Sequence, residues 1–272
     1  MTPSPLALFD AHAHYDDSRF DNPDGDTPER FALLDKLFST GEVSYIANIG
    51  TNLETSAASL ELAGRYENIY AACGIHPSDC MRYDDIAGTL DALRSLLSNP
   101  KCRAIGEIGL DYHYDDTPSD IQMKWFDAQL ALAEETGYPV VVHDREAHGD
   151  CMDAVRRHRG ARGVFHSYSG SAETARELVS LGWYISFTGV ITFKNASRIA
   201  EVVKSVPDDR IMIETDCPYL APVPMRGREN HSGYLRYTAE TAAGLRGQTI
   251  EVLARLTREN ALRFYRITPQ EM

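Results

Sequence analysis

The segment AIGEI at Ala104–Ile108 is followed by SDIQMKWFDAQLALAEET at Ser119–Thr136 and then by VVVH at Val140–His143. The first and last segments are short and apolar, which is typical of buried strands, whereas the middle segment has helical spacing and length. Ser119 is a suitable helix N-cap, and Gly137 follows the helical segment as it does at many helix C-termini. The three segments therefore predict two parallel strands joined by a helix.

This alternation of strand and helix patterns extends along the whole chain. The predicted strands are Leu6–His12, Val43–Asn48, Ile69–Gly74, Ala104–Ile108, Val140–His143, Gly163–His166, Trp183–Phe187 and Arg210–Glu214. Helix patterns lie between and after them, including Glu54–Tyr66, Ile86–Leu97, Ser119–Thr136, Ala172–Leu181, Ala196–Val206 and Thr249–Tyr265. Ser171 is the expected N-cap of the fourth of these helices, and the acidic segment Asp16–Asp26 is expected to be a solvated loop.

Eight alternating units favour a closed barrel over an open doubly wound sheet, and no GxGxxG motif follows the first strand to support dinucleotide binding. A barrel of this kind needs about 250 residues, and the chain has 272. We therefore expect residues 1–272 to form a single α/β domain, a (β/α)8 TIM barrel.

Composition limits the classes of function. Five dispersed cysteines without a CxxC pair indicate reduced thiols in the cytoplasm. No apolar run approaches the roughly 18 residues of a membrane span, and residues 1–9 do not have the pattern of a signal peptide. The net charge of −13 opposes general coating of duplex nucleic acid. The sequence suggests no membrane association and no obligate protein partner.

Two histidines end the first predicted strand, within the segment DAHAH. Side chains alternate along a strand, so His12 and His14 share one face and could hold one metal ion together. Asp10 has the same parity and could orient a ligand from behind. An isolated HxH pair is equally consistent with two exposed loop histidines.

Four further side chains stand at the C-terminal ends of predicted strands, the edge where barrel enzymes build their sites. Glu107 could bridge two cations, and His143 and His166 each follow an apolar run, although each residue alone has a structural explanation. Asp216 could bind metal and accept a proton from water, whereas Glu214 is better placed for a structural role. Their coincidence with the HxH pair predicts a divalent-metal site, for which zinc, manganese and magnesium all remain possible.

Seven motifs spread over the chain are specific in combination. They are DAHAH at Asp10–His14, GIHP at Gly74–Pro77, GEIGLDY at Gly106–Tyr112, VVVHDRE at Val140–Glu146, HSYSGS at His166–Ser171, YISFTGVITFKNA at Tyr184–Ala196 and ETDCPYLAPVPMRGREN at Glu214–Asn230. Together they resemble the TatD-type metal-dependent hydrolases, often called TatD DNases, within the amidohydrolase superfamily. The resemblance implies a barrel fold and a metal-dependent nuclease, commonly one that removes nucleotides from DNA ends.

The resemblance also implies two divalent ions per chain. The implied ligands are His12, His14 and Asp216 for the first ion, Glu107 as the bridge, and His143 and His166 for the second ion. Glu107 and Asp216 are then the expected catalytic groups, with Asp216 accepting the proton of the attacking water. The chain departs from the usual family pattern at Cys217, at HSG in positions 231–233, and at HSYSG, where HCFSG is common. The departure at 231–233 leaves the shape of the last loop open.

Cationic side chains near the expected barrel mouth are candidates for phosphate contacts, although each alone is more simply a surface charge. The candidates are His76, Arg145, Lys194, Arg226 and Arg228. Tyr112 or Tyr219 could stack a nucleic acid base, although aromatic residues at barrel mouths are usually packing residues.

Two other classes of function remain open. One is an amidohydrolase-type enzyme acting on a small molecule or on an aminoacyl-tRNA ester. Many barrel amidohydrolases bridge their metals with a modified lysine on the fourth strand; here that strand carries Glu107 and Lys101 precedes it, which favours a phosphodiester. The other class is a metal-binding scaffold without activity, which turnover of any phosphodiester would exclude.

Overall fold

Eight parallel strands lie side by side in chain order in the computed structural model, which describes residues 5–21, 29–114 and 117–269. They are β1 Leu8–Ala13, β2 Val43–Ile49, β3 Ile69–Cys73, β4 Cys102–Asp111, β5 Val140–Arg145, β6 Gly163–Phe165, β7 Tyr184–Phe187 and β8 Ile211–Ile213. The α-helices of the described ranges are α1 Arg30–Thr40, α2 Leu53–Arg65, α3 Ile86–Leu97, α4 Ser119–Thr136, α5 His148–Arg157, α6 Ala172–Ser180, α7 Ser197–Ser205, α8 Leu235–Arg246 and α9 Ile250–Phe264.

The sheet closes where β1 meets the segment that follows β8. Ala13 forms a parallel bridge with Cys217. The His14 amide donates to the Cys217 carbonyl at 2.8 Å, and the Asp216 amide donates to the His12 carbonyl at 2.9 Å. These contacts complete the barrel and confirm the predicted TIM-barrel fold.

The unit formed by β4, α4 and β5 shows why the alternation produces parallel strands. Val140, Val141 and Val142 are fully buried, as expected for a strand covered on both sides. α4 ends at Gly137, whose φ of 73° lies in the left-handed region that favours glycine. The predicted cap at Ser119 is wrong, because Pro118 occupies the N-cap position and Ser119 is already helical. Ser171 is confirmed as the cap of α6, since its side chain accepts a hydrogen bond from the Thr174 amide.

Two apolar clusters stabilise the barrel. The larger cluster packs the helices against the strands. The smaller one draws residues from the strands and from the chain around the end of α9, so it fills the barrel interior. Tyr265 belongs to this second cluster and donates a hydrogen bond to the Ala11 carbonyl at 2.7 Å. The interior below the C-terminal ends of the strands is therefore a rigid apolar floor.

Several local expectations change in the structure. The last strand, Ile211–Ile213, is shorter than the predicted Arg210–Glu214, and the chain turns at Asp216, whose φ is 57°. The expected solvated loop Asp16–Asp26 includes a short 3-10 turn at Ser18–Asp21 with Phe20 fully buried, and positions 22–26 lie outside the described residues.

All five cysteines are free and buried. In the described part of the chain, no helix has the length and apolar character to cross a membrane.

Candidate metal centre

The first group of converging side chains comes from the closure between β1 and the end of β8. His12 Nε2 and His14 Nε2 lie 3.0 Å apart. Asp216 Oδ1 lies 3.4 Å from His14 Nε2 and 3.7 Å from His12 Nε2. The left-handed backbone of Asp216, a conformation that aspartate tolerates better than most residues, directs its carboxylate toward the two imidazoles.

Glu107, on β4, joins this group to a second one. Its Oε2 lies 3.5 Å from His12 Nε2 and 3.8 Å from His14 Nε2. Its Oε1 lies 2.7 Å from His143 Nδ1 and 2.7 Å from His166 Nε2. One buried carboxylate therefore presents each of its oxygens to a different pair of histidines.

The first group has the spacing that a divalent ion requires. Bonds of about 2.0–2.2 Å to a tetrahedral ion place ligand atoms roughly 3.3–3.6 Å apart. The five distances above among the four side chains of this group run from 3.0 to 3.8 Å. In the second group, His143 Nδ1 and His166 Nε2 lie 3.3 Å apart. The donors of both groups therefore suit a divalent ion in type, and those of the first group also in spacing, whereas the 2.7 Å between Glu107 Oε1 and each histidine of the second group is a hydrogen-bond separation.

Partners behind the rings of His14 and His143 fix which nitrogen faces the centre. His14 Nδ1 lies 2.8 Å from the Ile49 carbonyl, which can only accept, so the proton of a neutral ring is on Nδ1. His143 Nε2 lies 3.1 Å from Asp111 Oδ2, which favours a proton on Nε2. In both residues the nitrogen that faces the centre then has a free lone pair, as a metal ligand requires.

Glu214 stands behind His166. Its Oε1 lies 3.3 Å from His166 Nδ1 and accepts a hydrogen bond from the Ser167 amide at 2.6 Å. Its Oε2 accepts from the Ser186 hydroxyl at 2.6 Å. This almost fully buried carboxylate supports the ends of β6 and β7 through Ser167 and Ser186, in keeping with its predicted structural role.

Unlike His14 and His143, His76 turns a protonated ring nitrogen toward the centre. Its Nδ1 accepts a hydrogen bond from the Ser78 amide at 3.1 Å, so the neutral ring carries its proton on Nε2. Burial lowers the pKa of His76 to about 4, which keeps the ring neutral near pH 7. Nε2 lies 3.7 Å from Glu107 Oε1. His76 therefore faces the centre with a hydrogen-bond donor, although it stands close enough to Glu107 and His143 to be counted among possible ligands.

The charges of the centre are strongly coupled. Burial opposes ionisation of Glu107, but the positive charge of His166 and the neighbouring histidines outweigh it and hold the pKa of Glu107 well below its usual value. Burial likewise lowers the pKa of His14, but the hydrogen bond and charge of Asp216 raise it to about 9. Binding of an ion must therefore compete with a proton on His14, so it releases that proton.

Asp10 supports Asp216 indirectly. Its carboxylate accepts hydrogen bonds from the Thr215 amide at 2.9 Å, the Thr215 hydroxyl at 2.6 Å and the Ser232 hydroxyl at 2.6 Å. Burial raises the pKa of Asp10 to about 6. Its described hydrogen bonds go to Thr215 and Ser232, so Asp10 positions the backbone beside Asp216 and contacts neither histidine ring of the first group.

A cavity of about 1080 Å³ opens above the two groups. His76 and Arg145 line it, as expected of candidate substrate contacts. Arg226 and Arg228 are exposed and are not among its lining residues; the Arg226 guanidinium instead lies 4.0 Å from the ring centre of Phe193. Arg198, near the start of α7, is a lining cation that the sequence reasoning missed, because no motif distinguishes it from other exposed helical arginines.

Asp111 was also missed as a site residue. It lies on β4 two positions after Gly109 and four after Glu107, so strand periodicity alone places it on the same side as Glu107. It lines the cavity together with further carboxylates. The acidic members of the lining are Asp16, Asp17, Asp79, Glu107, Asp111, Asp144 and Asp216. The cavity wall therefore carries an excess of acidic groups that bound cations would offset.

Comparison with known proteins identifies the family of the chain. The family described as TatD related DNase matches residues 9–266. The chain is 42% identical over 265 residues to the uncharacterized metal-dependent hydrolase YabD of Bacillus subtilis (strain 168), covering 96% of this chain and 99% of YabD. It is 34% identical over 264 residues to the uncharacterized metal-dependent hydrolase YcfH of Escherichia coli (strain K12), covering 96% and 97% of the two chains.

Solved structures of two TatD proteins share the fold of this chain. The crystal structure of YjjV, a TatD homolog from Escherichia coli K12, is similar with a TM-score of 0.85 and 29% identity, covering 97% of this chain and 99% of that one. A TatD family hydrolase from Entamoeba histolytica shares the fold with a TM-score of 0.85 at 22% identity, over 98% and 100% of the two chains. The chain belongs to the TatD-related DNase family of metal-dependent hydrolases.

Proposed function

We propose that this protein hydrolyses phosphodiesters at DNA ends with the help of two divalent ions. The observation that carries the proposal is the position of Glu107, whose Oε2 faces His12 and His14 while its Oε1 faces His143 and His166. A carboxylate shared in this way is the arrangement expected of a bridging ligand between two ions.

In this proposal each ion has its own histidine pair. The proposed ligands are His12, His14 and Asp216 for one ion, His143 and His166 for the other, and Glu107 for both. When bound, the two ions supply a lowered pKa for attacking water and stabilise the negative charge that develops on the phosphoryl group. Zinc, manganese and magnesium remain the candidates for these ions.

The protein's own side chains supply proton transfer and substrate positioning. Asp216 lines the cavity, and its carboxylate accepts the proton of the attacking water. His76 Nε2 donates a hydrogen bond to a phosphate oxygen.

Arg145 and Arg198 extend this phosphate contact along the cavity wall. Among the described residues, neither guanidinium forms an ion pair closer than 4 Å, so both remain available to an anion. Arg226 and Arg228 stay candidate contacts only for a substrate that extends beyond the cavity.

The alternative is an amidohydrolase-type reaction on a small molecule or an aminoacyl-tRNA ester. Lys101 cannot act as the modified bridging lysine of many such enzymes, because it precedes β4 at the opposite end of the barrel. Its Nζ donates to the carbonyls of Tyr66, Glu67 and Ile69 there. This contact leaves Glu107 as the bridging side chain on β4.

The deciding experiment measures hydrolysis by metal-free protein that has been reconstituted with one ion type at a time. The substrates are end-labelled linear single-stranded and double-stranded DNA, closed circular single-stranded DNA, an aminoacyl-tRNA and simple amides. We expect shortening of the linear DNA from an end, little cleavage of circles, and none of this activity in Glu107→Ala. Equal cleavage of circles contradicts action at ends, and turnover of only the amides or the tRNA ester contradicts the phosphodiesterase proposal.

A further inference from the structure

Tyr219 stands in the cavity wall beside the first histidine pair. Its ring centre lies 6.4 Å from that of His14, and the two rings are nearly perpendicular at 79°. The backbone of Tyr219 is held on both sides, because its amide donates to the Asp216 carbonyl at 2.9 Å and its carbonyl accepts from Asn230 Nδ2 at 2.6 Å. Even so, 48% of the residue is exposed. The structure thus fixes a large aromatic side chain in an open position next to the proposed reaction centre.

A cation covers one face of this ring. The guanidinium carbon of Arg19 lies 4.2 Å from the ring centre of Tyr219. Arg19 is itself held by two hydrogen bonds to the Asp17 carboxylate, of 2.9 and 2.7 Å. Because Arg19 and the backbone of Tyr219 are both restrained before any ligand arrives, a planar group can stack on the exposed part of the ring at little ordering cost.

The charge of the protein makes such a contact useful. The net charge is −13 and the cavity wall carries seven carboxylates against two arginines, so the electrostatic capture of a DNA backbone is weak outside the metal centre. Stacking of a base on an aromatic ring needs no positive charge and tolerates every base. A stacked base is therefore the contact that an acidic nuclease can make with its substrate beyond the reacting phosphate.

We propose that Tyr219 stacks the base of the terminal nucleotide. The inference rests on the proposed function, because it requires a nucleotide at this cavity. A base inside a duplex has both faces covered by its neighbours, whereas a terminal base that has left the stack can offer a face to Tyr219.

The experiment combines a side-chain change with a change in the substrate. Holoenzyme and the variants Tyr219→Leu and Tyr219→Phe receive single-stranded oligonucleotides that carry either a normal nucleotide or an abasic tetrahydrofuran residue at each end in turn. We expect Tyr219→Leu to lower kcat/KM on normal ends by about 5- to 150-fold, the range for loss of one stacked base. On the abasic end it should change kcat/KM by less than twofold, and Tyr219→Phe should remain close to wild type on both substrates.

A matched control separates stacking from a general effect of removing a tyrosine. Tyr70 also has a cation over its ring, with Lys101 Nζ at 4.7 Å, but it lies at the N-terminal end of β3, away from the cavity. Tyr70→Leu should leave both substrates unaffected. Metal content of Tyr219→Leu, measured in the same samples, should equal that of wild type if His14 is undisturbed.

Two outcomes overturn the inference, and they are distinguishable. If Tyr219→Leu slows normal and abasic ends equally, or slows neither, Tyr219 does not stack a terminal base and the proposed function stands. If wild-type holoenzyme hydrolyses no oligonucleotide, the proposed function fails and this inference fails with it.

Discussion

Replacement of Asp111 by asparagine should weaken the binding of one of the two proposed ions and leave the binding of the other almost unchanged. Asp111 Oδ2 lies 3.1 Å from His143 Nε2, and its Oδ1 accepts a hydrogen bond from the His113 amide at 2.9 Å. The carboxylate thus orients the ring of His143 with the opposite nitrogen toward Glu107. No ligand of the His12–His14 group lies within hydrogen-bond distance of Asp111 among the contacts of the described residues.

The size of the effect follows from this geometry. Loss of a partner that orients a ligating histidine typically costs 10- to 100-fold in metal affinity, or about 1.4–2.8 kcal/mol. Asparagine can still accept a hydrogen bond from His143 through its amide oxygen, so we expect a loss near the low end of this range. Asp111→Ala removes the acceptor from a position that is only 3% exposed, so its loss should lie near the high end.

Calorimetric titration of metal-free protein with manganese or zinc measures the two binding steps separately. Asp144→Asn is the matched control, since it removes a negative charge from another lining residue of the cavity whose carboxylate contacts His148. In Asp111→Asn we expect the dissociation constant of only one binding step to rise. In Asp144→Asn neither dissociation constant should change by more than a few-fold. Equal weakening of both steps by Asp111→Asn would show that the two histidine groups do not form separate sites.

Three further predictions concern the base, the acid stability and the binding of DNA. Asp216→Asn should lower kcat by about 10²–10⁴ while both ions remain bound, and activity within a few-fold of wild type would show that Asp216 is not the base. Burial lowers the pKa of His231 to about 4. The unfolded chain, with a histidine pKa near 6.5, therefore binds more protons than the folded chain between these values, and folded-state stability falls as the pH falls. Between pH 7.5 and pH 5, the free energy of unfolding measured with urea should fall by at most about 2 kcal/mol more in wild type than in His231→Gln. An equal fall in both proteins would contradict the assigned pKa. The affinity of a catalytically silent variant for DNA should depend only weakly on salt, with a log–log slope no steeper than roughly −3, because few phosphates reach the cavity; a slope near −8 would indicate an extended backbone contact.

The barrel and the proposed ligands could be predicted because both follow from simple periodicities. Repeated strand–helix units require parallel strands, and parallel strands in a closed barrel bring all their C-terminal ends to one rim. His143 and His166 follow buried apolar runs, and His12 and His14 differ by two positions, so their convergence needs no knowledge of loops. The same periodicity would have identified Asp111, which lies four residues after Glu107 on β4.

The roles of other residues depend on contacts that the sequence does not encode locally. His76 becomes a donor because the Ser78 amide occupies its Nδ1, a feature of a 3-10 turn that no strand or helix pattern reveals. Arg226 lies against Phe193, which itself lines the cavity, and Arg198 reaches the cavity from a helix. Long loops and helix starts place these side chains, and their paths depend on packing across the whole barrel rim.

The position of Glu107 between two histidine pairs is the central claim, and metal stoichiometry tests it most directly. Wild type and Glu107→Ala are loaded with manganese or zinc, freed of excess ion and analysed for metal, with Glu146→Ala as a control carboxylate that pairs with His113. We predict close to two ions per chain in wild type and in Glu146→Ala, and loss of most of both ions in Glu107→Ala, because its two oxygens serve both sites. Retention of two tightly bound ions in Glu107→Ala would contradict the account.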